Sequence, residues 1–196
     1  MTKKTSELIP SNKWIKHDDD KDDIKILRQK LEPLTFPLTE EDESYLDKMK
    51  AYIESSFSGK WQEQGIKPGM AVAANQVGWN KRVIYVHFDS LGKEYQYLLA
   101  NPKILAFSQG ISYIPTGEGC LSVKKHHDGI IPRRAKIIVE GVDMLNNNRV
   151  VKFSADGILS INLQHEIDHL DGILYYDRIN KDNKFFVGEG WSSVEG

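Results

Sequence analysis

Residues 164–172 read Gln-His-Glu-Ile-Asp-His-Leu-Asp-Gly. His165 and His169 stand four positions apart, so on a helix their imidazoles lie on one face. This is the H-E-x-x-H spacing, which offers two nitrogen ligands to one metal ion with a carboxylate, here Glu166, beside them. The bland account is two surface histidines and a solvated acid. It fits poorly, because Ile158, Leu159, Ile161, Leu163, Ile167 and Leu170 put apolar side chains around most of the helix, as expected of a buried one.

A catalytic centre of this kind usually has three protein ligands and an open position for water. Downstream supply is poor. Tyr175 occupies the place six residues after the second histidine, and the only glutamates that follow are Glu189 and Glu195, in a polar tail. Upstream stands the single cysteine, Cys120, in Thr-Gly-Glu-Gly-Cys-Leu-Ser (116–122). Its thiolate is a strong ligand for zinc or ferrous iron. Gly117 and Gly119 let the backbone pass close to an ion. Alone, such a cysteine reads as an inert buried hydrophobe; beside H-E-x-x-H, Cys120, His165 and His169 form the best available set. His126 and His127 lie in a polar loop and read as surface residues, and His17 and His87 receive no role. A third stretch, Gly-Met-Ala-Val-Ala-Ala-Asn-Gln-Val-Gly (69–78), sets small residues before Gln76. It fits a glutamine donating an N–H into a cavity and fits equally a tightly packed turn.

Elements must hold these residues in place. Residues 39–57 predict an amphipathic helix, with Thr39 as N-cap and acids in the first turn. Residues 23–38 read as a short extended or turned segment broken by Pro33 and Pro37, and 58–69 as a loop. Strands are expected at 82–88, 94–101, 111–115, 135–142 and 149–153, with a hairpin turn at Asn146-Asn147-Asn148. A buried helix over 155–170 follows, then a strand at 173–179. This order gives an α+β class, with antiparallel or mixed sheets packed around the buried helix that carries H-E-x-x-H, and not the alternation of a doubly wound fold.

The 196 residues suit one domain over 1–196, with 1–13 and 181–196 expected to be loose. A formal net charge of -2 favours neither nucleic acid nor an anionic membrane. One cysteine permits no internal disulfide. No apolar run approaches the roughly 20 residues that span a bilayer, and no secretory leader is evident; the expected location is the cytoplasm.

Taken in order, Gly-Met-Ala-Val-Ala-Ala-Asn-Gln, Glu-Gly-Cys-Leu-Ser and Gln-His-Glu-Ile-Asp-His resemble the three motifs of peptide deformylase. The likeness runs from about Trp14 to Ile179 and is nearer the longer, Gram-positive-type bacterial group. The first motif departs at Ala71, where the family usually has glycine, and at Asn75, where proline is common. The resemblance implies hydrolysis of the N-formyl group from the initiator methionine of nascent polypeptides, giving formate. It implies Cys120, His165 and His169 as ligands of ferrous iron, with nickel, cobalt or zinc able to substitute. It implies Glu166 as the acid–base residue, and Gln76 with the Leu121 backbone N–H as donors to the developing oxyanion. Glu118 and Arg133 are candidates either for supporting the ligands or for a structural ion pair. For the methionine pocket the candidates are Met70, Ala71, Val72 and Gly119, with Ile158 and Ile161 from the helix face of His165. The expected partners are formyl-methionyl nascent peptides and, transiently, the ribosome. The rivals are a metallopeptidase, which would need a downstream third ligand, and a closed structural metal site, which would need a fourth.

Overall fold

The computed structural model describes residues 8–195. In chain order the elements are α1 (Asp23–Leu27), α2 (Glu40–Phe57), α3 (Trp61–Gln64), β1 (Ala71–Ala73), β2 (Val83–Ser90), β3 (Lys93–Phe107), β4 (Ile111–Tyr113), β5 (Arg133–Arg134), β6 (Lys136–Asp143), β7 (Arg149–Asp156), α4 (Gly157–Leu170) and β8 (Ser192–Ser193). Short 3-10 turns cover Asn12–Trp14, Ala74–Val77 and Tyr175–Arg178.

Two sheets result. Five antiparallel strands run in the order β1-β2-β3-β6-β7, and a smaller sheet runs β5-β4-β8, with β4 and β8 parallel. The class is therefore mixed α and β, with one antiparallel and one mixed sheet. The β6–β7 hairpin turns where expected, with Asn147 and Asn148 at φ 58° and 54°, a conformation asparagine tolerates better than most residues. β3 runs on through Pro102 to Phe107, further than the expected 94–101. It does so by shifting register between Ala100 and Lys103, which spares the ladder the proton that proline lacks.

α2 begins in a reciprocal cap. The Thr39 hydroxyl accepts from the Asp42 amide (3.1 Å), and the Asp42 carboxylate accepts from the Thr39 amide (3.0 Å). Leu46, Met49, Tyr52 and Ile53 are buried along one face. α4 is buried along nearly its whole length, and it packs against β1, β2, β5 and β7.

Three segments differ from expectation. Residues 23–38 begin with the whole of α1, and 58–69 contain α3. Residues 173–179 form no strand: Gly172 turns at φ +73°, and the Leu174 amide donates to Asp177 (2.8 Å), winding 175–178 into a 3-10 turn. The tail from Lys181, read as loose, contains β8, and the Val194 amide donates to the Tyr113 carbonyl (2.8 Å). At the other end, the expectation for residues 1–7 lies outside the described residues, while Asn12 bonds Tyr52, Gly65 and Lys67.

Candidate metal centre

α4 brings His165, Glu166 and His169 to one buried region, as the four-residue spacing requires. Cys120 arrives from the turn after β4. The sulfur of Cys120 and one ring nitrogen from each histidine lie within 4.8 Å of one another. Cys120 Sγ is 3.2 Å from His169 Nε2.

The surroundings orient these groups. His165 Nδ1 lies 2.7 Å from Glu118 Oε2, so the proton on Nδ1 leaves Nε2 free as a ligand. Glu118 in turn accepts two bonds from Arg133, at 2.7 and 2.8 Å. Arg133 also reaches Asp168, which is held by Arg178 as well. Burial pushes the Glu118 carboxyl up, but the Arg133 charge and the bonds from Arg133 and His165 outweigh it and bring it to about 2. Arg133 is fully buried, and its two carboxylates raise its pKa against the cost of that burial. Glu118 and Arg133 thus join a buried charge network that runs from the His165 ring to the surface at Arg178.

Burial lowers His169 well below the usual imidazole value, with His165 and Arg133 adding to it, which keeps this ring neutral. Burial opposes the charge on His165 too, but Cys120 and Glu118 together raise it. Burial brings Glu166 up to about 7, and its Oε2 has no partner among the described residues. Tyr175 stacks on His165, with ring centroids 6.1 Å apart and planes inclined by 19°.

Gln76 faces Cys120. Its Oε1 accepts from the Ala73 amide (2.8 Å), which turns Nε2 toward Cys120 Sγ (3.4 Å) and the Ser122 hydroxyl (3.1 Å). The cavity here is lined by Met70, Ala71, Gln76, Gly119, Cys120, Leu121, Ile158, Ile161, His165 and Glu166. Val72 is not among them. β-strand alternation turns it away from Ala71, into the main core, where it is fully buried. Lys67, Ile114 and Asn162 also line the cavity and were not anticipated. Lys67 Nζ donates to the Cys120 carbonyl (2.7 Å), a contact across 53 residues that leaves no local pattern. His126 and His127 are exposed.

A thiolate and two imidazoles suit zinc, iron or other late divalent ions. The distances, the burial and the Glu118 contact fit such an ion. A three-ligand set beside a buried carboxylate, on a mixed α/β scaffold, has the make-up of a metal-dependent hydrolase. Comparison with known proteins narrows this class. Residues 13–185 match the family model described as polypeptide deformylase. The chain is 37% identical over 188 residues to the peptide deformylase of Malacoplasma penetrans, covering 96% of this chain and 98% of that one. It is 40% identical over 190 residues to that of Ureaplasma parvum, covering 96% and 93%. Among solved structures it is similar to a probable peptide deformylase from Synechococcus phage S-SSM7, with 34% identity, TM-score 0.64, and 84% and 97% of the two chains covered. It is also similar to a peptide deformylase of Synechococcus elongatus in complex with actinonin, with 27% identity, TM-score 0.66, and 85% and 80% covered. The chain belongs to the polypeptide deformylase family.

Proposed function

We propose that this chain hydrolyses the N-formyl group from the formyl-methionine that begins nascent polypeptides, releasing formate and a free amine. The observation that carries the reading is Cys120, His165 and His169 gathered beside the buried Oε2 of Glu166, which has no partner among the described residues, in a chain of this family. Cys120, His165 and His169 would hold a divalent ion. When bound, such an ion supplies Lewis acidity that makes water a nucleophile near neutral pH. Ferrous iron is the metal we favour, with nickel, cobalt or zinc as substitutes that the same donors accept.

The chain's own groups do the rest. Glu166 takes a proton from the attacking water and delivers it to the amine nitrogen as the formyl C–N bond breaks. Gln76 Nε2 and the Leu121 backbone N–H donate to the formyl oxygen as it gains charge. Each such donor is commonly worth about 3 kcal/mol. Ile158, Ile161, Met70 and Ala71 take the methionine side chain, and Gly119 lets the peptide backbone pass close. Glu118 and Arg133 hold His165 in its ligating tautomer. α4 is the central helix about which both sheets are arranged, and residues 1–196 act as one catalytic domain. No helix among the described residues is long and apolar enough to cross a membrane; we place the protein in the cytoplasm, meeting nascent chains in passing contact with the ribosome.

The test is formate release from formyl-Met-Ala-Ser by protein purified without oxygen and loaded with ferrous iron or nickel, beside Glu166→Ala. Release that the substitution abolishes supports the reading. Bound metal without release overturns it.

A further inference from the structure

The turn at Ala74–Val77 presents two consecutive amide side chains, and they go to two different ligands of the centre. Gln76 points at Cys120. Asn75, fully buried, points the other way: its Nδ2 donates to the His169 carbonyl (2.8 Å) and to the Leu27 carbonyl (3.1 Å). The His169 carbonyl lies in the last turn of α4 and also accepts from the Gly172 amide (3.1 Å), so Asn75 adds a buried side-chain donor to the helix end at the ligand itself.

Two buried atoms here are left over. His169 Nε2 faces Cys120, so if it is the ligand atom the ring proton must sit on Nδ1. Among the described residues His169 Nδ1 has no partner, and neither has Asn75 Oδ1. One is a donor and the other an acceptor, on two residues already joined by a hydrogen bond. A buried polar group without a partner costs about 1–3 kcal/mol. The other ligand histidine has its equivalent need met by Glu118. A water taking the Nδ1–H and giving a proton to Oδ1 would satisfy both, and two polar partners meet the minimum for an internal water.

Resting on the metal-centre reading above, we infer that Asn75 is the positioning residue for His169: its Nδ2 fixes the ligand's backbone, and its Oδ1, through one ordered water, selects the tautomer that frees Nε2 for the metal. The two imidazoles then differ in character. His165 is backed by a carboxylate and is the more electron-rich ligand. His169 is backed by a neutral amide.

The test uses the full chain loaded with zinc and two readouts: the rate of zinc release to an excess of chelator, and the long-range 15N–1H spectrum of the histidine rings. Asn75→Ala is compared with Arg82→Ala, which removes the donor to the neighbouring Leu170 carbonyl (3.1 Å) at the same helix end without approaching the ring. Loss of a partner behind a ligand typically costs roughly 10- to 100-fold in metal affinity. We expect Asn75→Ala to release zinc faster by that order, with Arg82→Ala close to the parent. The parent should show His169 bound through Nε2 with a slowly exchanging Nδ1–H, and that proton should exchange faster in Asn75→Ala. Equal release from Asn75→Ala and the parent, or equal acceleration in both variants, overturns the inference. So does a parent spectrum with His169 bound through Nδ1. If Asn75→Ala does not fold, Asn75→Ser enters the same comparison and the parent spectrum still decides. A parent that takes up no zinc removes the centre and this inference together. A parent that binds zinc through Nε2 yet releases no formate with iron or nickel removes the proposed reaction alone.

Discussion

His165 Nδ1 and Glu118 Oε2 lie 2.7 Å apart, and both are buried. That contact ties Glu118 to His165 as well as to Arg133, so it is not one half of an isolated ion pair, and in the proposed centre it would support a ligand. Glu118→Gln keeps the size of the side chain and an acceptor oxygen but removes the charge facing both His165 and Arg133. We expect metal affinity to fall by roughly 10-fold or more, read by competition against a chromogenic chelator.

Arg133 answers two carboxylates at once, Glu118 and Asp168. Arg133→Met fills similar space but leaves both acids buried with less compensation; Arg178 still reaches Asp168. Removing one partner of a buried ion pair commonly costs about 3–5 kcal/mol. Urea unfolding of the metal-free protein should show a loss of that size. A shift below about 1 kcal/mol would fit a surface pair instead.

Gln76→Ala separates the donor from the ligands. Gln76 Nε2 is held toward Cys120 by the bond its Oε1 accepts from Ala73. We expect kcat to drop by about 10²–10³, the usual loss for one oxyanion donor, with KM and bound metal little changed. A rise in KM with kcat intact would make Gln76 a ground-state binding group.

What could be read from sequence follows how local each interaction is. The two histidines and Glu166 are set by helix spacing alone, and Thr39 and Asp42 by a cap three residues long. Cys120 emerges because the chain offers no convincing ligand after His169. The strand expected at 173–179 failed because its aromatic and β-branched residues suit a strand, while the turn there is made by Asp177, held by Arg28 from 149 residues away. Val72 looked like a pocket residue only because its neighbours in sequence are; it is fully buried in the main core. The Lys67–Cys120 and Asn75–His169 bonds span 53 and 94 residues, and no periodicity encodes such contacts.

Asp42 gives a pH dependence well away from the centre. Burial raises its carboxyl, but the Thr39 amide and hydroxyl and the Trp79 indole outweigh that and lower it below 3.8. A carboxyl lowered on folding contributes stability that is fully present above its unfolded value and is lost as pH falls through the folded one. Asp42→Asn should therefore destabilise the protein at neutral pH, by about 1 kcal/mol for the weakened cap. The gap between the parent and variant urea midpoints should close as pH is taken below 3.8. A gap that stays constant through that window would mean that the charge of Asp42 is not what stabilises the cap.

Gly172 ends the helix that carries both histidines. Its φ is +73°, and a Cβ there would clash with the Arg28 carbonyl oxygen and meet its carbon at 2.6 Å. Neither problem has a cheap solution. The left-handed backbone costs a non-glycine residue about 1–3 kcal/mol, and the clash is with main chain, which cannot rotate aside. The same turn supports the site: the Gly172 amide donates to the His169 carbonyl (3.1 Å), and the Leu31 amide donates to the Leu170 carbonyl (2.9 Å). Gly172→Ala must push 28–31 away from the end of α4 or unwind its last turn, and His169 sits in that turn. We expect lower thermal stability together with faster metal loss, measured on the same preparation. Lower stability with unchanged metal release would mean that the last turn of α4 holds His169 without help from the chain packed beneath it.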